Sequence, residues 1–148
     1  MAEARIAFLV PSRFDYIKVK WAIWLAGGVA VPLCLSAAEP ELEYTLSDSQ
    51  ADCLVVSQEL VGKVEPLCER LNLRRLVIED NDLVQDKSLP AVDPNRRAMI
   101  LYTSGTTSKP KGVVTTHRNI QSQIEMLVEA WEWDSKDSVP LFLPLHHI

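Results

Sequence analysis

The sequence predicts an α/β fold, a mostly parallel sheet flanked by helices. Two observations carry that prediction. Short apolar runs alternate along the whole chain with segments whose apolar residues recur at helical spacing. Parallel neighbours cannot be joined by a tight turn, and the intervening helices supply the crossovers they need. A third observation says where function sits: the stretch YTSGTTSKPKG, residues 102–112, is crowded with hydroxyls and separates two apolar runs. In open α/β sheets, ligands gather just beyond the carboxyl ends of strands.

The elements follow in order. Residues 6–10 read as a strand closed by Pro11 and Ser12, after which Phe14, Ile17, Trp21, Trp24 and Leu25 fall on one face of a helix. Gly27 and Gly28 stop that helix, and residues 29–31 form the next strand. Ser36 with Glu39 and Pro40 marks the entry to a second helix carrying Leu42 and Leu46, and residues 53–56 make a third strand. Ser57 is placed to cap a helix whose stripe is Leu60, Val61, Val64, Leu67, Cys68 and Leu71. Residues 76–78 follow as a strand.

From residue 79 to 97 the pattern fades into a polar stretch with Pro90 and Pro94, read as a flexible surface connection. Its acidic residues Glu79, Asp80 and Asp82 read as solvated rather than metal-binding. Residues 98–101 form the strand before the hydroxyl-rich loop, and Val113 and Val114 resume apolar character after it. Ile120, Ile124, Leu127, Val128 and Trp131 then mark a helical face, and residues 139–143 read as a strand ending at Pro144. Trp21, Trp24 and Trp131 sit on apolar faces, so their expected role is core packing.

Composition bounds the function. With 148 residues, 47% of them hydrophobic, the chain can bury a substantial core. A net charge of -5 and the lack of a basic stripe argue against nucleic acid as a partner. Cys34, Cys53 and Cys68 fit neither a disulfide framework nor a zinc site, so reduced, buried thiols are expected. No run approaches the roughly 20 apolar residues needed to cross a bilayer, and the first ten residues lack signal-peptide features. The cytoplasm or an organelle matrix is the expected location, mitochondrial if a targeting segment precedes this sequence.

The loop at 102–112 has the chemistry of a triphosphate cradle. Gly105 can expose its amide or take positive φ, while Ser104, Thr106, Thr107 and Ser108 offer hydroxyls and successive amides that can curl around an anion. Lys109 and Lys111 supply charge, and Pro110 stiffens the exit so that Lys111 is aimed. The order differs from GxxxxGK[ST], because Pro110 stands where that loop has its second glycine and Gly112 follows the lysine. Ser, Thr, Gly and Pro clusters between strands also form ordinary turns. Used as a nucleotide cradle, such a loop serves γ-phosphate transfer with ADP release as readily as attack at the α-phosphorus with AMP formation.

The loop resembles the phosphate-binding signature of the adenylate-forming superfamily, which includes acyl-CoA synthetases, luciferases and peptide-synthetase adenylation domains. The resemblance extends to RIAFLV, WAIWLAGGVAVPL (21–33), LEYTLSDSQA (42–51) and LPLHHI, and so covers nearly the whole chain. With THRNI (116–120) it looks most like the malonyl-CoA and methylmalonyl-CoA synthetase branch. It implies that residues 1–148 are part of a large N-terminal AMP-binding domain, with the C-terminal domain lying beyond this sequence. It implies further that Thr103, Ser104, Gly105, Thr106, Thr107, Ser108, Lys109, Pro110 and Lys111 hold ATP with Mg2+ nearby. A carboxylic acid, malonate or methylmalonate on the branch resemblance, would be activated as its adenylate and passed to CoA. Lys111 would steady the departing pyrophosphate, and His147 matches a family histidine that positions the carboxylate. The family's glycine is replaced here by Ser108; if that position needs positive φ, serine costs about 1 kcal/mol.

Overall fold

The computed structural model describes residues 3–78, 90–103 and 109–146. Among them lies a six-stranded sheet. Its strands are β1 (Arg5–Leu9), β2 (Val29–Pro32), β3 (Cys53–Ser57), β4 (Arg75–Ile78), β5 (Arg97–Thr103) and β6 (Lys111–Thr116). The spatial order is β4-β3-β1-β2-β5-β6, and the first five run parallel while β6 returns antiparallel to β5. The expected architecture is therefore observed. The helices are α1 (Phe14–Leu25), α2 (Glu39–Asp48), α3 (Val61–Arg70) and α4 (His117–Trp131).

Successive side chains on a strand point to opposite faces, and β1 feeds two separate cores this way. Ala7 and Leu9 join Val29, Val31, Leu54 and Val56 against Leu42 and Leu46 of α2 and Val64 and Leu67 of α3. Phe8 and Val10 join Ala30 and Met99 on the other face, under Tyr16, Val19 and Ile23 of α1. Central strands buried on both faces must be apolar throughout, which is why they read as continuous runs. After α1 the chain turns sharply at Gly27, whose φ of +75° suits glycine alone at no steric cost. The Nη2 group of Arg96 then holds the Gly27 carbonyl at 2.8 Å, tying the turn to the start of β5.

Several local expectations need correction. The buried face of α1 is Tyr16, Val19 and Ile23, whereas Phe14, Trp21 and Leu25 are exposed. The helix is apolar nearly all round, so periodicity found a second stripe rather than the one the sheet covers. Trp21 and Trp131 are 54% and 61% exposed, and neither is core. Trp24 is anchored instead, its indole N–H donating to the Ala98 carbonyl at 2.7 Å. The second helix begins at Glu39 with Ala38 as its cap, leaving Ser36 outside. Ser57 makes no side-chain capping bond: a short 3-10 turn (Gln58–Leu60) intervenes before α3, and the buried Ser57 hydroxyl has no hydrogen-bond partner among the described residues. Cys53 and Cys68 are buried but Cys34 is only half-buried; all three are free thiols.

Residues 139–143 form no strand. A strand requires a neighbour for its amides, and none of the described residues pairs with this segment. Leu141, Phe142 and Leu143 stand 66%, 80% and 64% exposed. The helical stripe Ile120, Ile124, Leu127, Val128 and Trp131 does exist on α4, but α4 buries no residue. Most of the connection read at 79–97, including Glu79, Asp80 and Asp82, lies outside the described residues.

Candidate functional site at the hairpin

Strands β5 and β6 form a hairpin whose last paired residues are Thr103 and Lys111. Because β5 runs parallel to β2, its end lies on the same edge as the carboxyl ends of β1 to β4. Anything held between Thr103 and Lys111 is thereby offered at the edge where α/β sheets bind ligands. Of the sequence-nominated residues, Thr103, Lys109, Pro110 and Lys111 are described. Ser104, Gly105, Thr106, Thr107, Ser108 and His147 lie outside the described residues.

The mouth of the hairpin opens on a cavity of about 320 Å3. Its walls include Leu33 and Cys34 after β2, Glu41 and Thr45 of α2, Tyr102, Thr103 and Pro110 of the hairpin, and His146. Two hydrogen bonds bring the chain around His146 to this edge even without a strand before it. The Tyr16 hydroxyl donates to the Leu145 carbonyl at 2.8 Å, and the Leu145 amide donates to Ser12 Oγ at 3.1 Å. The legs of the hairpin and His146 thus share one edge, through tethers rather than through sheet register.

Sequence reasoning missed the residues that grip the hairpin. Tyr44 and Asp48 sit four apart on α2, hence on one face of it. The Tyr44 hydroxyl donates to the Pro110 carbonyl at 3.1 Å, and the Tyr102 hydroxyl donates to Asp48 Oδ2 at 2.6 Å. The two rings meet edge to face with centroids 6.3 Å apart, and the Lys109 ammonium lies 5.4 Å from the Tyr44 ring centre. Burial first, and then the neighbouring Asp48 carboxylate, raises both phenol pKa values, so each hydroxyl stays a donor at neutral pH. Gly112 makes room for this arrangement. A Cβ there would meet Ile100 Cγ2 at 2.9 Å and the Tyr102 ring at 3.2 Å. In LEYTLSDSQA the pair shows only as an i, i+4 spacing, on a helix that also carries Glu39, Glu41 and Glu43 and so reads as ordinary surface.

Downstream, Thr116 caps α4 in a reciprocal box with Asn119, fixing how the chain leaves β6. His117 stacks edge-on to Trp24, with ring centroids 5.8 Å apart. Burial foremost, and then Arg96, holds the pKa of His117 below its usual value.

Comparison with known proteins decides the family, since the AMP-binding enzyme family matches residues 1–148. The chain belongs to that family. It is 39% identical to the mitochondrial malonate–CoA ligase ACSF3 of Xenopus laevis, over 97% of this chain and 26% of that protein. It is 38% identical to the malonate–CoA ligase of Arabidopsis thaliana, over 98% of this chain and again 26% of that protein. The chain therefore spans about a quarter of the length of these relatives. Among solved structures, a long-chain-fatty-acid–CoA ligase (FadD1) from Archaeoglobus fulgidus superposes with a TM-score of 0.88 at 30% identity, covering 97% of this chain and 31% of that one. ATP-bound MatB from Rhodopseudomonas palustris superposes at 0.87 and 22% identity, over 99% of this chain and 31% of that one, a likeness of fold. Among the described residues, no helix is long and apolar enough to cross a membrane.

Proposed function

We propose that residues 1–148 are the nucleotide-gripping part of an ATP-dependent acid–CoA ligase whose large N-terminal AMP-binding domain they begin to build. The observation that carries this reading is the hairpin: Thr103 faces Lys111 at the ligand-binding edge of a parallel sheet, with TSGTTSKPKG running between and beside them. On this reading Thr103, Ser104, Gly105, Thr106, Thr107 and Ser108 line the β- and γ-phosphates of ATP with hydroxyls and amides, and Lys109, Pro110 and Lys111 form the stiff, cationic exit. A carboxylate oxygen attacks the α-phosphorus, the bond to the bridging oxygen breaks, and pyrophosphate leaves. Donors fixed in advance stabilise the charge that builds on that leaving group better than reorienting water does. The thiol of CoA then attacks the acyl carbon, AMP departs, and the thiol proton goes to solvent. His147, next to a His146 that lines the hairpin cavity, positions the carboxylate.

Mg2+ would enter with the nucleotide and offset part of the triphosphate charge. No described residues form a cluster of three or more metal-ligating side chains. The acid is malonate or a close dicarboxylate, a reading supported by two relatives named malonate–CoA ligase at 38–39% identity. The mitochondrial relative favours an organelle matrix over the cytoplasm. A second reading is favoured by the exposed apolar side chains of α4 and residues 139–143: these 148 residues keep the fold and bind phosphate or a partner protein without turning over substrate alone.

ATP–pyrophosphate exchange tests both, on this chain and on the protein extended to its relatives' length, across acetate, malonate, methylmalonate and longer fatty acids. Exchange with AMP formation only in the longer protein is the expected result. ADP release would mean γ-phosphate transfer and overturn the ligase reading, whereas exchange by the isolated chain would overturn the second. Lys111→Met in the longer protein should cost about 100-fold in exchange rate, as for loss of one preorganised charge-stabilising donor.

A further inference from the structure

We propose that Tyr44 and Asp48 of α2 are positioning residues for the phosphate loop, acting as a clasp that grips both legs of the hairpin from outside it. The proposal rests on the reading of that loop as the triphosphate cradle. Its geometry is specific. One contact, from Tyr102 to Asp48, lies one residue before Thr103 on the outgoing leg, and the other, from Tyr44 to Pro110, lies one residue before Lys111 on the returning leg. The two grips therefore flank the Thr103–Lys111 pair through which the loop is attached.

A hairpin at the end of a sheet is free to pivot unless something braces it, and β6 has no strand on its outer side among the described residues. Helix α2 is itself fixed, with Leu42 and Leu46 in the main core. Tyr44 and Asp48 project from the part of this rigid helix that faces the hairpin, and their two hydrogen bonds brace its legs from a fixed support, which is what a loop needs for the sub-ångström placement its chemistry demands. Tyr44 has a second task. Its ring lies under the Lys109 ammonium, a resting place for a cation that is needed only when the anion arrives.

Removing the clasp should loosen the loop without emptying the core, so the nucleotide should bind less well while the acid is unaffected. In the protein at its relatives' full length, Tyr44→Phe keeps the ring and deletes the bond to Pro110. It should raise KM for ATP about fivefold, the worth of one neutral hydrogen bond. Asp48→Ala should raise it by a similar factor, and Asp48→Asn, which can still accept from Tyr102, should restore most of the loss. The KM for the carboxylate and the thermal midpoint should stay at wild-type values in all three.

A merely structural role would lower the thermal midpoint and the amount of active enzyme while leaving both KM values in place. That outcome, or an unchanged KM for ATP in both Tyr44→Phe and Asp48→Ala, or an equal rise in both KM values, overturns the clasp. Lys111→Met, run alongside, separates this failure from failure of the underlying reading. If Lys111→Met cripples exchange and the α2 variants do not, only the clasp is wrong; if Lys111→Met is silent, the cradle itself is misassigned and the clasp falls with it.

Discussion

The two flanks of β1 and β2 obey opposite rules. On one side, β3 with α2 and α3 closes on itself: Leu54, Val56, Val64 and Leu67 are entirely buried, and the apolar stripe read from α3 is the stripe that packs. On the other, β6 and α4 leave Val113, Val114, Ile124, Val128 and Trp131 between 42% and 61% exposed. Both regions carry equally clear apolar patterns in sequence. Periodicity tells which residues want cover; only the presence of a neighbour tells whether they have it.

The sharpest way to break this comparison is a pair of matched truncations measured by denaturant unfolding. Leu54→Ala, in the closed half, should cost about 3 kcal/mol, because it opens a void that a rigid sheet cannot collapse. Ile124→Ala on α4, 55% exposed, should fall within about 0.5 kcal/mol of wild type. Equal losses would mean that α4 is covered in solution and that the two flanks are alike.

Next in size is Gly112→Ala, which probes a close contact within the hairpin of the open half. The added methyl would press on Ile100 Cγ2 at 2.9 Å and on the Tyr102 ring, so a cost of about 1–3 kcal/mol is expected from overpacking. Hydrogen exchange should show the loss concentrated in the hairpin amides. A silent substitution would place Tyr102 elsewhere and remove the reason for glycine at this position.

How much of this was legible in sequence follows from the same contrast. Parallel strands buried on both faces announce themselves as unbroken apolar runs, and the runs around Ala7, Val31 and Leu54 each became a strand. The run at residues 139–143 has the same look but no strand partner among the described residues, so the same rule misfired. For α1 the difficulty was surplus: Trp21 and Leu25 are as apolar as Val19 and Ile23, and composition cannot say which side meets the sheet. At the site, Lys111 was nominated by residue chemistry and Thr103 by the family resemblance, and the two stand opposite each other at the mouth of the hairpin. Tyr44 and Asp48 were not, because a tyrosine and an aspartate on a helix look like ordinary surface until the hairpin is laid against them.

A smaller effect sits where α1 meets α4. Trp24→Phe removes the indole N–H that satisfies the Ala98 carbonyl on a fully buried residue, and should cost about 1 kcal/mol. It should also shift the remaining tryptophan emission to the red, since Trp21, Trp131 and Trp133, which would then carry it, are each more than a third exposed.

The smallest expected effect is the pH response of His117, which rests against Trp24 at this same junction. Burial first, and the Arg96 charge second, disfavour its protonated form in the folded protein, while Glu3 partly opposes them. A base whose folded pKa lies below its unfolded value of 6.5 is neutral in both states at high pH and contributes no difference there. As pH falls through 6.5 the unfolded chain takes up the proton first, so stability declines until the folded imidazole titrates as well. Glu3 does not blur this window, because its bond to Arg97 pulls its own pKa below the ordinary carboxylate value and keeps it ionised. Thermal midpoints of wild type and His117→Phe, compared between pH 8 and pH 5, should therefore run parallel above 6.5 and separate below it, with the wild type losing ground. A gap that stays constant, or one that opens in favour of the wild type, would mean that α4 has swung away from α1 and left His117 in water.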